Sequence, residues 1–186
     1  MLKLYGTRKS RAFRCLWMLE ECGADYTLEP ADFATEDVRR PEFLALNPNG
    51  KVPVLVDGDL VLFESLAINL YLADQYAAEL RCQRQPELQQ WMMWVMGELE
   101  GPHDAANRAN AEIDVARLDR SLNALRRALG ASPYLLGDTF SVADLNVSAV
   151  LLRPQYRPVV SVDVELSGWF SRCTERPALR RAVTGG

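Results

Sequence analysis

Every strand-sized apolar run in this chain lies before Leu66, and every apolar pattern after it has helical spacing. Leu2-Lys3-Leu4-Tyr5 alternates before Gly6, and Asp25 to Glu29 reads as a second strand. Val52-Pro53-Val54-Leu55-Val56 and Leu60-Val61-Leu62-Phe63 flank Asp57-Gly58-Asp59, a hairpin signal. So divided, the chain predicts an α/β half over 1–77, a polar linker over 78–86 and an all-helical half over 87–186.

Between the first two strands, Ala12, Phe13, Leu16, Trp17 and Leu19 keep helical spacing. Ser10 suits the N-cap and Gly23 the left-handed residue past the end, which predicts a helix over Arg11–Cys22. That crossover is long enough to leave the two strands parallel. A short helix is predicted over Pro41–Leu46, before the turn Asn47-Pro48-Asn49-Gly50. Pro53 has no N–H for a ladder, so its strand is expected to be an edge or to carry a special bend.

Ser65 is expected to cap a helix whose Leu66, Ile68, Leu70, Tyr71 and Leu72 supply more than one apolar face. In the later half, Trp91, Trp94, Val95, Met96 and Leu99 mark a helix that Gly101-Pro102 kinks or ends. Leu118, Leu122, Leu125 and Leu129 form an amphipathic stripe. Ser141-Val142-Ala143-Asp144 has the form of a capping box, opening a helix apolar nearly all round that Pro154 ends.

Composition removes several function classes. A formal net charge of -4 gives no overall reason to expect nucleic acid, which needs a concentrated basic face. Cys15, Cys22, Cys82 and Cys173 fall at irregular intervals without a C-x-x-C pair, and His103 is the only histidine, so neither a metal site nor a disulfide framework is expected. Met1 to Tyr5 is too short for a signal peptide, and no apolar stretch approaches the ~18 residues that span a bilayer. The expectation is a soluble protein of a reducing cytoplasm, with no membrane partner.

Four segments, in order, resemble the cytosolic glutathione transferases. They are Leu4-Tyr5-Gly6 with Ser10-Arg11-Ala12; Asn47 to Leu55; Phe63-Glu64-Ser65-Leu66-Ala67-Ile68; and Leu135-Leu136-Gly137-Asp138 leading to Ser141-Val142-Ala143-Asp144. The resemblance covers nearly the whole chain and is to the bacterial type, with a serine-containing N-terminal site and a shortened helical half. It implies an α/β thioredoxin-like N-terminal domain followed by an all-α C-terminal domain. It also implies glutathione as co-substrate, a small-molecule electrophile and a homodimer.

By the same resemblance, a cis peptide precedes Pro53, and the Val52 backbone pairs with the cysteinyl unit of glutathione much as an added strand would. Glu64 and Ser65 hold the γ-glutamyl end, where a helix N-terminus favours a carboxylate. Lys51 meets the glycyl carboxylate. Ser10 stands where the serine-using members place the hydroxyl that faces the sulfur. A thiol of pKa ~8.5 must drop by about two units to ionise well at neutral pH, roughly 2.7 kcal/mol. A hydrogen bond to a charged acceptor gives about 1.5 to 3 kcal/mol and a helix terminus about 0.3 to 1, which together suffice.

Plainer readings stand beside these. Ser10 fits as an N-cap alone, Pro53 as an edge marker, and Lys51 as a solvated lysine. Arg8, Lys9, Arg11 and Arg14 would raise the local concentration of an anionic tripeptide or form a solvated face. Cys15 fits as a small buried side chain and not a nucleophile, and Ser141 and Asp144 as folding residues. Trp91, Met92, Met93, Trp94 and Met96 would serve the core, a co-substrate pocket or a subunit interface. Because Gly101 to Glu112 replaces a longer helical hairpin, a non-catalytic interaction protein of the same fold is the alternative function.

Overall fold

A computed structural model describes residues 1–112 and 114–185, which form two units. The first holds Met1–Arg81 together with the stretch from Arg176 onward; the second holds Cys82–Glu175. The expected helical half, 87–186, thus gives its final helix to the first unit.

In the first unit, β1 (Leu2–Tyr5), β2 (Tyr26–Glu29), β3 (Val54–Asp57) and β4 (Leu60–Phe63) form one sheet in the order β2-β1-β3-β4. The crossover from β1 to β2 is α1 (Ala12–Cys22), and the two strands are parallel, with Leu2 opposite Tyr26 and Tyr5 opposite Glu29. β3 runs antiparallel to both β1 and β4, so it is central and not an edge. Pro53 is compatible with this because the ladder begins one residue later, at Val54, and the Val52–Pro53 bond is cis. The special bend is therefore what the proline supplies.

α1 starts one residue later than expected. Arg11 occupies the cap position without a side-chain bond, while the Ser10 hydroxyl oxygen accepts from Ala12 N–H at 3.1 Å. The helix ends at Gly23, φ 58, where Gly23 N–H reaches Glu20 O and Ala24 N–H reaches Leu19 O, closing the last turn. α2 (Pro41–Leu46) follows a short 3-10 turn at Glu36–Arg39, and its Phe43 packs with Ala31, Val38 and Val54 under one face of the sheet. α3 (Ser65–Tyr76) lies along α1: Asn69 Nδ2 donates to Arg14 O, and the Cys15 and Cys22 thiols approach the Ser65 and Leu72 carbonyls.

The second unit is helical: α4 (Gln85–Trp94), α5 (Gly101–Ala109), α6 (Val115–Leu129), α7 (Val142–Leu151), α8 (Arg157–Val162) and α9 (Val164–Thr174). Gly101-Pro102 does not end the Trp91 helix. A π-helical segment, Val95–Glu100, joins α4 to α5. A proline ring collides with the carbonyl four residues back in an ordinary helix, and the wider turn relieves that collision at Glu98. Trp91, Met92, Val95 and Leu99 are buried while Met93 is exposed.

Leu118, Leu122 and Leu125 of α6 are buried, as their spacing predicts. α7 is buried nearly all round and lies at the centre of its unit. Asp144, itself fully buried, accepts from Leu135 N–H, Ser141 N–H, the Ser141 hydroxyl and Trp169 Nε1. No helix among the described residues is long and apolar enough to cross a membrane.

Back in the first unit, α10 (Pro177–Thr184) docks on α1. Arg176 forks onto Glu21 at 2.7 and 2.8 Å, and Arg181 Nε reaches Glu20 Oε2 at 2.8 Å.

Candidate active site

The strand register decides which loops meet. Tyr5 is opposite Val54 and Val54 is opposite Phe63, so the last residue of β1, the first of β3 and the last of β4 form one row. The Gly6–Ser10 loop, the Lys51–Pro53 bend and the Glu64-Ser65 helix start therefore leave the sheet at the same end. Gly6 is where the approach is closest. At φ 148, a Cβ there would lie 2.5 Å from Ala12 Cβ, with Ser10 Oγ and Val52 Cβ next nearest at 3.5 and 3.6 Å. Only glycine fits between the turn and the bend.

Within the first loop, Ser10 N–H and Ser10 Oγ both donate to Thr7 O, at 3.1 and 2.8 Å. Ser10 Oγ in turn accepts from Thr7 N–H at 3.4 Å and from Ala12 N–H at 3.1 Å. Ser10 is half-buried, and its hydroxyl sits at the amino end of α1 with its one proton on a neutral carbonyl. Cap and donor are roles of different atoms of that hydroxyl, the oxygen and the hydrogen, so the two sequence readings are compatible.

The bend is built by Asn47, a buried residue that the sequence reading treated only as part of a turn. Its Nδ2 donates to Lys51 O at 2.7 Å and its Oδ1 accepts from Asn49 N–H at 3.1 Å. Asn47 O takes Gly50 N–H, and Gly50, φ 59, passes close to the Val38 carbonyl. The Val52 backbone lies outside the ladder. Lys51 is exposed, and its ammonium has no ion-pair partner among the described residues.

At the third loop the expected cap is displaced by one residue. Glu64 occupies the cap position and Ser65 is the first helical residue. Glu64 has φ 72 and ψ 110, a conformation costing a non-glycine residue about 1 to 3 kcal/mol and concentrated at ligand sites. Ser65 is buried, and its hydroxyl has no hydrogen-bond partner among the described residues. Beneath it, Cys15 Sγ lies 3.5 Å from Ser65 O. Burial pushes the Cys15 thiol up to about 12, opposed only by Arg14, so it is inert.

Arg14 is 3% exposed, which removes it from any solvated basic face. Thr7, Asn47 and Gly6, to which the sequence assigns no role at the site, act through backbone groups or local bonds. Their signal was the tight spacing of Gly6 to Ser10 and Asn47 to Gly50. A separate cleft of about 300 Å3 in the second unit, lined by Arg84, Trp91, Arg127 and Leu135 among others, contains none of the residues expected to contact glutathione, and of the Trp-Met cluster it takes only Trp91.

Chemically, the row presents a hydroxyl at a helix start, an unpaired strand segment, a second helix start and a free ammonium. That set suits an extended anionic peptide carrying a group to be polarised at Ser10.

Comparison with known proteins gives consistent answers. Residues 1–74 match the family model described as Glutathione S-transferase, N-terminal domain, and residues 104–182 match Glutathione S-transferase, C-terminal domain. Glutathione S-transferase 3 of Zea mays is 32% identical, over 98% of this chain and 93% of its own. Glutathione S-transferase 1 of the same plant is 34% identical, over 98% and 95%. Among solved structures, a glutathione S-transferase-I bound with lactoylglutathione superposes with a TM-score of 0.80 at 31% identity, covering 97% of both chains. Glutathione S-transferase I from maize in complex with an atrazine glutathione conjugate gives 0.81 at 31%, covering 97% and 95%.

Proposed function

The chain belongs to the glutathione S-transferase family, and on that premise we propose that it is a glutathione transferase in which Ser10 stabilises the glutathione thiolate. The thiolate attacks a small hydrophobic electrophile, or reduces a hydroperoxide. The observation that carries this reading is the Tyr5–Val54–Phe63 row, which brings all the expected glutathione-contacting segments to one end of the sheet.

In this reading the Val52 backbone pairs with the cysteinyl unit. The α3 start with Ser65 takes the γ-glutamyl carboxylate, Glu64 takes its ammonium, and Lys51 meets the glycyl carboxylate. The Val52–Pro53 bond is cis, and the Val52 backbone lies outside the ladder. Ser10 swings its proton from Thr7 O to the sulfur, exchanging a neutral bond for a charge-assisted one. The exchange gives up about 1 kcal/mol of the 1.5 to 3 that the thiolate bond supplies. Ser10 alone then lowers the thiol by about one unit and the α1 start adds a fraction, short of the two units expected from the sequence because the bond to Thr7 O must first be given up. In conjugation, sulfur forms the new bond to carbon while the leaving group departs with its electron pair.

The two solved structures named above hold lactoylglutathione and, in the maize protein, a glutathione conjugate of atrazine, which supports a glutathione site with room for an attached group. The relatives named above are plant proteins and lend nothing to the bacterial-type subgroup. A homodimer and a cytoplasmic setting, where four cysteines outside any disulfide stay reduced, complete the proposal. The alternative of a non-catalytic interaction protein leaned on the short helical half, yet that half still matches its family model over 104–182.

The test is an ultraviolet difference titration of wild type and Ser10→Ala with glutathione. A saturable thiolate signal that Ser10→Ala loses is expected. A wild type that binds glutathione without generating thiolate would instead favour the interaction protein.

A further inference from the structure

We infer that Arg8 is a positioning residue for Ser10, holding the Thr7–Ser10 turn by docking it on the carboxyl end of α10. The inference rests on the reading of Ser10 as the thiolate donor.

Arg8 and Lys9 are the only residues between Thr7 and Ser10, the two ends of the turn that the 2.8 and 3.1 Å bonds close. Arg8 Nε donates to Ala182 O at 3.1 Å, across 174 positions of sequence. Ala182 lies in the last turn of α10, where carbonyls lack partners within the helix and the dipole favours a cation. Just past that turn, Gly185 has φ 95, and a Cβ there would lie 2.7 Å from Arg8 Nη2. The positive φ favours glycine at 185, and with no Cβ there the guanidinium lies directly against the helix end.

α10 is anchored without help from Arg8, since Arg176 holds Glu21 and Arg181 holds Glu20 near the far end of α1. A helix fixed at one end of α1 therefore braces the loop that precedes the other. The sequence reading left Arg8 between steering an anion and facing solvent. The geometry gives it a third task.

The brace matters because Ser10 must release Thr7 O and turn to sulfur without the turn itself opening. With Arg8 removed, the turn samples more conformations, and fewer present the hydroxyl to the thiolate. The contacts made by Val52 and Ser65 are untouched. Glutathione affinity should therefore hold while thiolate formation suffers.

The experiment follows the bound glutathione thiol by ultraviolet difference against pH in wild type, Arg8→Met, Arg8→Lys and Arg181→Met. Affinity is measured separately at acid pH, where the bound thiol keeps its proton. In Arg8→Met the thiol pKa should rise by about half a unit, roughly a threefold loss of thiolate at neutral pH, with acid-pH affinity changed less than about twofold. Arg8→Lys, which keeps a donor and a charge, should recover at least half of the shift.

Arg181→Met removes one tie of α10 to α1 but leaves Arg176 forked on Glu21, so α10 stays docked; the variant should lower stability and leave the thiol titration at the wild-type position. A wild-type titration in Arg8→Met overturns the inference. So does an equal shift in Arg181→Met, since the effect would then be general loosening. If wild type itself shows no thiolate, the reading of Ser10 has failed first, and the inference falls with it.

Discussion

Ser10 before α1 and Ser141 before α7 each place a hydroxyl ahead of a helix. The Ser141 hydroxyl donates to the carboxylate of Asp144 at 2.7 Å, wholly buried. The Ser10 hydroxyl donates to the neutral Thr7 carbonyl at 2.8 Å, half-buried at the sheet end. A bond to a carboxylate is roughly twice as strong as one to a carbonyl, so an incoming anion cannot displace the first and can displace the second. Cap chemistry alone does not separate a folding serine from a reacting one. The charge of the acceptor does.

The contrast can be broken hardest at Asp144. Asp144→Ala strands the donors of Leu135, Ser141 and Trp169, and should cost roughly 3 to 5 kcal/mol in denaturant unfolding. A loss under about 1 kcal/mol would mean the capping box is ornamental. Next, Ser10→Ala should lower kcat/KM about tenfold, near 1.4 kcal/mol, while stability falls by about 1 kcal/mol or less. Equal losses of activity and of folded protein would erase the distinction between the two serines. Ser141→Ala is expected to cost about 1 kcal/mol of stability and to leave the bound thiol titration unmoved, as a spectroscopic pH series would show.

The smallest effect concerns two carboxylates. Asp57 accepts from Tyr76 and Tyr71 at 2.5 and 2.7 Å, and these bonds hold its carboxyl below the ordinary value. Its contribution is present above about pH 4 and lost as pH falls through the depressed value. Burial moves Asp144 the other way, against the bonds it accepts, so its contribution is complete below about pH 4 and declines as pH rises through the raised value. Unfolding midpoints of Asp57→Asn against pH should therefore lose part of the acid-side decline. An unchanged acid limb would remove Asp57 from the account.

Legibility in the sequence followed distance along the chain. The α1 and α2 helices, the hairpin and the capping box are local patterns of spacing and turn residues, and all were readable; the segments proposed to contact glutathione rest on the family resemblance instead. The central place of β3 was not, because a proline one residue outside a ladder looks the same in sequence as one inside it. The allegiance of α10 was not either. Arg176 and Glu21 are 155 positions apart, and no local pattern announces their pairing. At the candidate site, Ser10, Lys51, Glu64 and Ser65 are proposed on the resemblance, whereas the proton of Ser10 resting on Thr7 O is a matter of loop closure that spacing does not encode.

The π segment at Val95–Glu100 has a consequence for phase. A turn closed five residues back instead of four inserts one extra residue, and each residue advances a helix by about 100°. α4 and α5 are thus one rod spliced out of step, and a helical wheel drawn through Gln85–Ala109 misassigns one half or the other. Deleting Gly97, whose Cβ position meets nothing, would restore the step and swing the buried His103 away from its present direction. In such a chain a single-residue indel works as a rotation, re-aiming a whole helix without changing one of its side chains.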